Sequence, residues 1–178
     1  MTEPASCNDL KEYIRDIPDF PKKGIIFKDI TPLLQDKDAF RKSIDLLAEK
    51  FQDKNIDIIA GVDARGFIFG SALAYKLGVG FVPVRKKGKL PYKTKGVTYE
   101  LEYGTDTLEM HEDAVSSQSR VLIVDDLLAT GGTIKAVSDL VKAQGAEIIG
   151  IAFLIELGFL KGRDKLKDFE IYSLINYS

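Results

Sequence analysis

The segment Val121–Thr133, VLIVDDLLATGGT, gathers the residue types from which a phosphate-handling site is built. An unbroken apolar run closes on Asp125 and Asp126. A short spacer holding Leu127 leads to Ala129, Thr130, Gly131, Gly132 and Thr133. Adjacent carboxylates at a strand end accept hydrogen bonds from sugar hydroxyls or help to hold magnesium. The next five residues can wrap a phosphate with backbone N–H groups and two hydroxyls. Glycine permits close approach there, and a helix starting at this point turns its positive end to the anion. An isolated TGGT can be a mere tight turn; the whole order of buried strand, DD, apolar spacer, TGGT and helix favours the phosphate loop. A Walker loop is excluded because no G-x-x-x-x-G-K-[ST] occurs, and GVDARG fails the dinucleotide pattern G-x-G-x-x-G.

A second segment carries positive charge. Between Gly80 and Tyr99 stand Arg85, Lys86, Lys87, Lys89, Lys93 and Lys95 with no acid, in a chain whose 25 basic and 27 acidic residues give a net charge of -2. Cations clustered against that balance point to an anion, the plainer alternative being a solvated basic loop. The near-neutral total gives no support to a protein that coats nucleic acid. One cysteine, Cys7, and one histidine, His111, rule out an intrachain disulfide, a four-cysteine metal site and most zinc sites. No stretch approaches the roughly 20 apolar residues of a membrane span. MTEPASCNDL lacks the basic and apolar regions of a signal peptide. The expectation is a cytoplasmic protein forming one domain over its 178 residues.

The elements that must position these residues follow from periodicity. Asn8–Ile17 reads as a short helix capped by Asn8, with Leu10, Tyr13, Ile14 and Ile17 on one face. The proline-rich PDFPKKGIIFKDITPLL predicts an ordered loop or short-strand region in which proline blocks a regular helix. A helix is expected over Asp38–Phe51. Then DIIAGV makes a strand, and DARGFIFGSALAYKLG a tight loop and a helix whose face is Phe67, Gly70, Ala74 and Leu77. VGFVPVR is a further strand, and YELEYG with DTLEM a hairpin joined around Gly104 and Thr105. VLIVDD has the character of a central parallel strand covered on both faces. A helix marked by Ile134, Val137, Leu140 and Val141 ends near Gly145, and strands follow at Glu147–Ile155 and Phe169–Ile175. Repeated βα units make this an α/β protein: an open, mostly parallel sheet flanked by helices, with a small β flap.

On these residues the chain resembles the type I phosphoribosyltransferases. VLIVDDLLATGGT is similar to their phosphoribosyl-pyrophosphate signature, and its LLATGG variant to that of the adenine-specific branch. PDFPKKGIIFKDITPLL, GVDARGFIFG, VRKKGKLP, YELEYG and LIELGFLKGRDKL fall in the order usual there, so the resemblance covers nearly the whole chain. It implies the type I fold with an N-terminal helix and base-binding region over 1–34 and a flexible flap over 96–111. It also implies transfer of ribose 5-phosphate from 5-phosphoribosyl 1-pyrophosphate to adenine N9, giving AMP and pyrophosphate.

The resemblance assigns roles residue by residue. Ala129, Thr130, Gly131, Gly132 and Thr133 cradle the 5-phosphate, with Leu127 beside them, and Asp125 and Asp126 meet the ribose hydroxyls. Lys86, Lys89 and Arg65 bind the pyrophosphate end, Lys89 among the catalytic residues. Arg85 reaches the site of a partner subunit, which implies a homodimer. Glu102 acts as acid or base near adenine N7 and Tyr103 closes over the site. Ile26 meets the adenine edge through its backbone, Phe27 shapes the slot, and Lys28 stands where many relatives carry arginine. Mg2+ is the expected cofactor, held by the substrate diphosphate and water rather than by protein ligands. Nucleic acid and membranes are not expected partners. The alternatives are the same fold acting on a 6-oxopurine, a donor-binding regulator without catalysis, and a synthase that makes the ribosyl donor. The N-terminal loop favours adenine, and this length leaves no room for a DNA-binding segment before Pro18.

Overall fold

The computed structural model describes residues 9–100 and 104–178. The first turn, Asp9–Tyr13, is a 3-10 helix that buries Leu10. The chain then extends into β1 (Arg15–Pro18), paired antiparallel with β2 (Ile26–Asp29). The single helix expected over Asn8–Ile17 is therefore not formed. Its helical spacing of apolar residues loses to strand pairing, which sets Ile17 opposite Phe27 and satisfies the backbone of an otherwise open loop. Asn8 and Cys7 lie outside the described residues. Pro32 does not block a helix either: it sits in the first turn of α1 (Thr31–Gln35), where a missing N–H costs nothing. Asp36 then caps α2 (Lys37–Phe51), its carboxylate accepting from the N–H groups of Asp38 and Ala39 at 3.0 and 2.8 Å, a cap worth about 1 kcal/mol.

The main sheet has seven strands among the described residues: β3 (Ile58–Val62), β4 (Gly80–Lys86), β5 (Thr94–Glu100), β6 (Thr105–His111), β7 (Arg120–Leu128), β8 (Glu147–Leu157) and β9 (Ile171–Tyr177). Their spatial order is β5-β6-β4-β3-β7-β8-β9. β4, β3, β7, β8 and β9 run parallel, and β6 and β5 join antiparallel at one edge. β5 and β6 pair antiparallel as the expected hairpin. Its first strand begins at Thr94, and Thr105 belongs to the second strand, paired with Glu100, rather than to the turn. The facing Thr98 and Thr107 hydroxyls, 2.9 Å apart, tie that register.

Alternation along β7 divides the core. Leu122 and Val124 join one cluster with Leu47, Phe69 and Leu73 from α2 and α3 (Gly66–Leu77). Val121 and Ile123 join the other with Val137, Leu140 and Val141 from α4 (Gly132–Ala143). Strands buried on both faces need helices on both, and these are they. In α3 the buried face is Phe69, Gly70, Leu73 and Ala74, while Phe67 and Leu77 of the expected face are only half-buried. The helix is turned so that Gly66 and Gly70 face the sheet. A Cβ on Gly66 would lie 2.8 Å from the Val124 carbonyl oxygen, so the absence of a side chain lets α3 approach β7 where Asp125 stands.

Candidate active site

Beyond the carboxyl ends of β3 and β7, three cavities meet, the position at which open α/β sheets take ligands. The smallest, about 80 Å3, is lined by Asp125, Leu127 and the run Leu128–Ile134. Gly131 at φ 78° turns the chain into α4. The first-turn N–H groups of that helix, which have no intrahelical acceptor, are directed here. The loop expected to hold a phosphate therefore surrounds a space of phosphate size.

Asp125 and Asp126 stand at the mouth. The Asp126 N–H donates to Asp125 Oδ1 at 2.9 Å, and the Asp126 carboxylate receives Arg65 Nε at 2.9 Å. Burial first, then the Asp126 charge, pushes the Asp125 carboxyl well above the usual range. Burial also raises Asp126, against the pull of Arg65. Of the pair, Asp126 with its cation at 2.9 Å is the better placed to carry charge, and Asp125, whose partner is the neutral Asp126 N–H, to hold a proton.

A second cavity, about 420 Å3, shares Asp125 and Thr133 with the first. It adds Asp63, Arg65, Lys86, Tyr99, Asp106 and Asp126. Lys86 Nζ meets Asp106 Oδ2 at 3.0 Å, a pairing that raises the lysine and lowers the aspartate from their usual ranges. Beside it Arg85 donates from Nε to Asp63 at 2.9 Å and from Nη1 to the Lys89 carbonyl at 3.2 Å. Arg85 thus braces the DARG turn against the basic loop of its own chain. Lys89 stands exposed on the turn after β4. No set of three or more His, Cys, Asp or Glu side chains among the described residues is grouped to hold a metal ion.

The third cavity, about 580 Å3, shares Thr130 with the phosphate loop. Gly24, Ile25, Ile26 and Lys28 line one side, and Leu157, Phe159, Leu160 and Tyr177 the other. Ile26, Phe159 and Leu160 are 55%, 60% and 40% exposed, an apolar slot open to solvent. Lys28 Nζ is drawn to Asp16 at 2.6 Å and lies 4.0 Å from the Tyr177 ring centre. Phe27 is packed edge-on against Phe20, and the Arg65 guanidinium lies 5.1 Å from its ring centre. It joins the base-side loop to the DARG turn rather than lining the slot itself.

A family model of the phosphoribosyl transferase domain matches residues 29–176. The chain is 57% identical over 177 residues to an adenine phosphoribosyltransferase of Acidobacterium capsulatum, covering 99% of this chain and 98% of that one. It is 62% identical over 168 residues to that of Clostridium perfringens, covering 94% and 98%. The chain belongs to the adenine phosphoribosyltransferase family. The crystal structure of the Thermoanaerobacter pseudethanolicus member superposes with a TM-score of 0.94 at 58% identity, covering 97% of this chain and all of that one. The Saccharomyces cerevisiae member, solved with adenine and an imino-altritol bisphosphate, gives 0.89 at 44%, covering 94% and 97%. The type I phosphoribosyltransferase fold expected from the sequence is the fold of this chain.

Within this family frame, the structure gathers Ile26, Lys28, Arg65, Lys86, Asp125, Asp126, Leu127 and Ala129–Thr133 around the three cavities. Arg85 and Phe27 sit one layer back. Glu102 and Tyr103 lie outside the described residues. The sequence pattern gave no sign of Asp63 and Asp106 as partners of the basic loop, or of Tyr177 as a pocket wall. Phe159 and Leu160 did carry a signal: two large apolar residues in the stretch LGFLKGRDK, which otherwise turns polar after an apolar strand. No described helix is long and apolar enough to cross a membrane.

Proposed function

We propose that the chain transfers the 5-phosphoribosyl group of 5-phosphoribosyl 1-pyrophosphate to N9 of adenine, forming AMP and releasing pyrophosphate. The observation that carries this is the contiguity of the three cavities around one loop. A phosphate-sized cradle shares Asp125 and Thr133 with a charged chamber on one side and Thr130 with an apolar slot on the other, an arrangement that suits 5-phosphate, diphosphate and base about one ribose. Asp125 and Asp126 then face the ribose hydroxyls and favour positive charge developing at C1 as pyrophosphate leaves. Arg65, Lys86 and Lys89 hold the departing pyrophosphate. The slot takes adenine with the backbone of the Ile26 segment matching its N1 acceptor and N6 donor. A 6-oxopurine would set its own donor and acceptor against those groups. Glu102 handles the proton at N7, and Tyr103 helps the flap exclude water from C1.

Magnesium fits this site as a passenger of the donor. The charged chamber presents Asp63, Asp106, Asp125 and Asp126 against Arg65 and Lys86, so a diphosphate entering it meets more carboxylates than cations. Asp125 and Asp126 are the residues placed to accept the hydrated ion. When bound, the ion neutralises diphosphate oxygens and makes pyrophosphate a better leaving group. The active form is a homodimer in which Arg85 serves the partner's site. Its place of action is the cytoplasm, since so anionic a donor does not cross a bilayer unaided.

The test incubates the protein with the donor, magnesium and each purine base in turn, and measures nucleotide and pyrophosphate. AMP from adenine alone is expected. IMP, GMP or XMP as the main product would overturn the base assignment, and no nucleotide from any base would overturn the transferase function.

A further inference from the structure

The segment after β8 walls one of the three cavities and backs the loop that surrounds another. Phe159 and Leu160 wall the apolar slot. Two residues on, Gly162 is buried against the phosphate loop. A Cβ on Gly131 would lie 2.5 Å from the Gly162 carbonyl oxygen, and one on Gly162 would run into the Ala129 carbonyl oxygen. The two backbones meet with no side chain between them. A segment of two 3-10 turns, Gly158–Leu160 and Gly162–Lys165, has little intrinsic stability of its own, and the exposed Phe159 and Leu160 do not anchor it.

Its anchor lies outside both cavities. Glu156, on β8, is 4% exposed. Arg163 grips both its oxygens, Nε to Oε1 and Nη2 to Oε2, each at 2.7 Å. Ser173 Oγ on β9 donates to Oε2 at 2.7 Å, and Arg163 Nη1 reaches the Ile171 carbonyl at 3.3 Å. This planar, two-point contact fixes orientation as well as distance, and it ties the segment to two strands at once. Because the arginine hydrogen bonds hold the carboxyl below its usual range, the pair is ionised at neutral pH.

We infer that Glu156 and Arg163 are positioning residues that hold the wall of the base slot and the back of the phosphate loop as one unit, so that the pair sets affinity for both substrates. This rests on the function proposed above. Neither residue lines a cavity, so the effect passes through Phe159, Leu160 and Gly162.

The test compares wild type with Arg163→Ala and Arg163→Lys, the latter keeping the charge but losing the fork. Calorimetry gives Kd for adenine (with pyrophosphate present) and for 5-phosphoribosyl 1-pyrophosphate with magnesium. Steady-state kinetics gives both KM values and kcat, and a melt on each sample fixes the folded fraction. Arg163→Ala is expected to weaken both substrates by about tenfold, the scale of a sub-ångström misplacement, with a smaller change in kcat, and Arg163→Lys to fall between. A purely architectural pair would lower the melting temperature while folded protein kept both Kd values, and that result overturns the inference, as does a change confined to one substrate. Should Arg163→Ala fail to fold, Arg163→Lys decides by the same two affinities. Wild type that forms no AMP would instead overturn the proposed function, a failure visible before any variant is compared.

Discussion

Gly66→Ala tests whether catalysis depends on where the backbone of α3 lets Asp125 stand. A methyl at this position lies 2.8 Å from the Val124 carbonyl oxygen, 2.9 Å from Asp125 Oδ1 and 3.2 Å from Asp125 Cα. Ordinary contact begins near 3.4 Å, so α3 and β7 must part by about 0.6 Å at this point. Neither obstacle yields easily: one is main chain, and the other is a carboxylate already holding the Asp126 N–H. Overpacking of this kind costs about 1–3 kcal/mol. In a domain of this size each kcal/mol lowers the melting temperature by about 2–4 °C, so a fall of several degrees is expected. The kinetic effect is larger. A 1 Å misplacement of a group at the reaction centre costs about 100-fold, and roughly half that shift predicts a loss of about tenfold in kcat/KM for the donor. Gly70→Ala is the control. Its methyl meets the Phe81 ring at 2.9 Å, one turn along the same helix and away from Asp125. It should lower the melt and leave kcat/KM of the folded enzyme within about twofold. Measuring AMP formation well below both melting temperatures separates the two effects. Equal kcat/KM for the two variants would refute the argument that Gly66 governs Asp125.

Two further outcomes follow from the site. The Asp125 carboxyl is held well above its usual range by burial and by Asp126. The folded state therefore binds that proton more tightly than the unfolded chain, and the advantage is lost as pH rises through the raised value. Asp125→Asn removes this penalty, so its gain in melting temperature over wild type should be larger near pH 8 than near pH 4, and a gain that shrinks with rising pH refutes the assignment. The proposed exchange of Arg85 between subunits predicts complementation. Arg85→Ala and Asp125→Asn, each nearly inactive alone, should recover up to about a quarter of wild-type activity when unfolded and refolded together, since half of randomly mixed dimers then hold one complete site. No recovery would place Arg85 in its own subunit's site, where Asp63 and the Lys89 carbonyl hold it in this structure.

What was legible in the sequence is what is contiguous. Asp125, Asp126 and the TGGT run sit on one strand and the turn that follows it, so local order alone fixes their geometry, and the alternation along β7 carries its two-sided burial. The spacing of Leu10, Ile14 and Ile17 fits a helix, and nothing in Arg15–Pro18 itself marks it as the partner that β2 takes up. On α3 the expected Gly70 and Ala74 do lie on the buried face, but Phe69 and Leu73 fill it in place of Phe67 and Leu77, because the close approach that Gly66 and Gly70 allow turns the helix that way. The partners of the cations were not legible at all. Asp63, Asp106 and Asp126 come from three strands or their ends, and only the sheet order brings them to Arg85, Lys86 and Arg65.

Those pairings bear on how a site for a polyanion can turn over. Arg65 and Lys86 line the charged chamber, and each already faces a carboxylate, as does Arg85 beside them. In the proposed reaction a diphosphate entering here would exchange one anionic partner for another, and the gain would be the difference between the two rather than the full attraction of a bare cation. The same exchange runs backwards when pyrophosphate leaves, because Asp106 and Asp126 stand ready to receive the released cations. Tight binding of donor and product alike would deepen the ground state without helping the chemical step. Paired cations limit that uniform binding. Under the proposed roles of Asp125 and Asp126, they leave the differential gain to the moment when positive charge grows on the ribose, where carboxylates rather than cations have been placed.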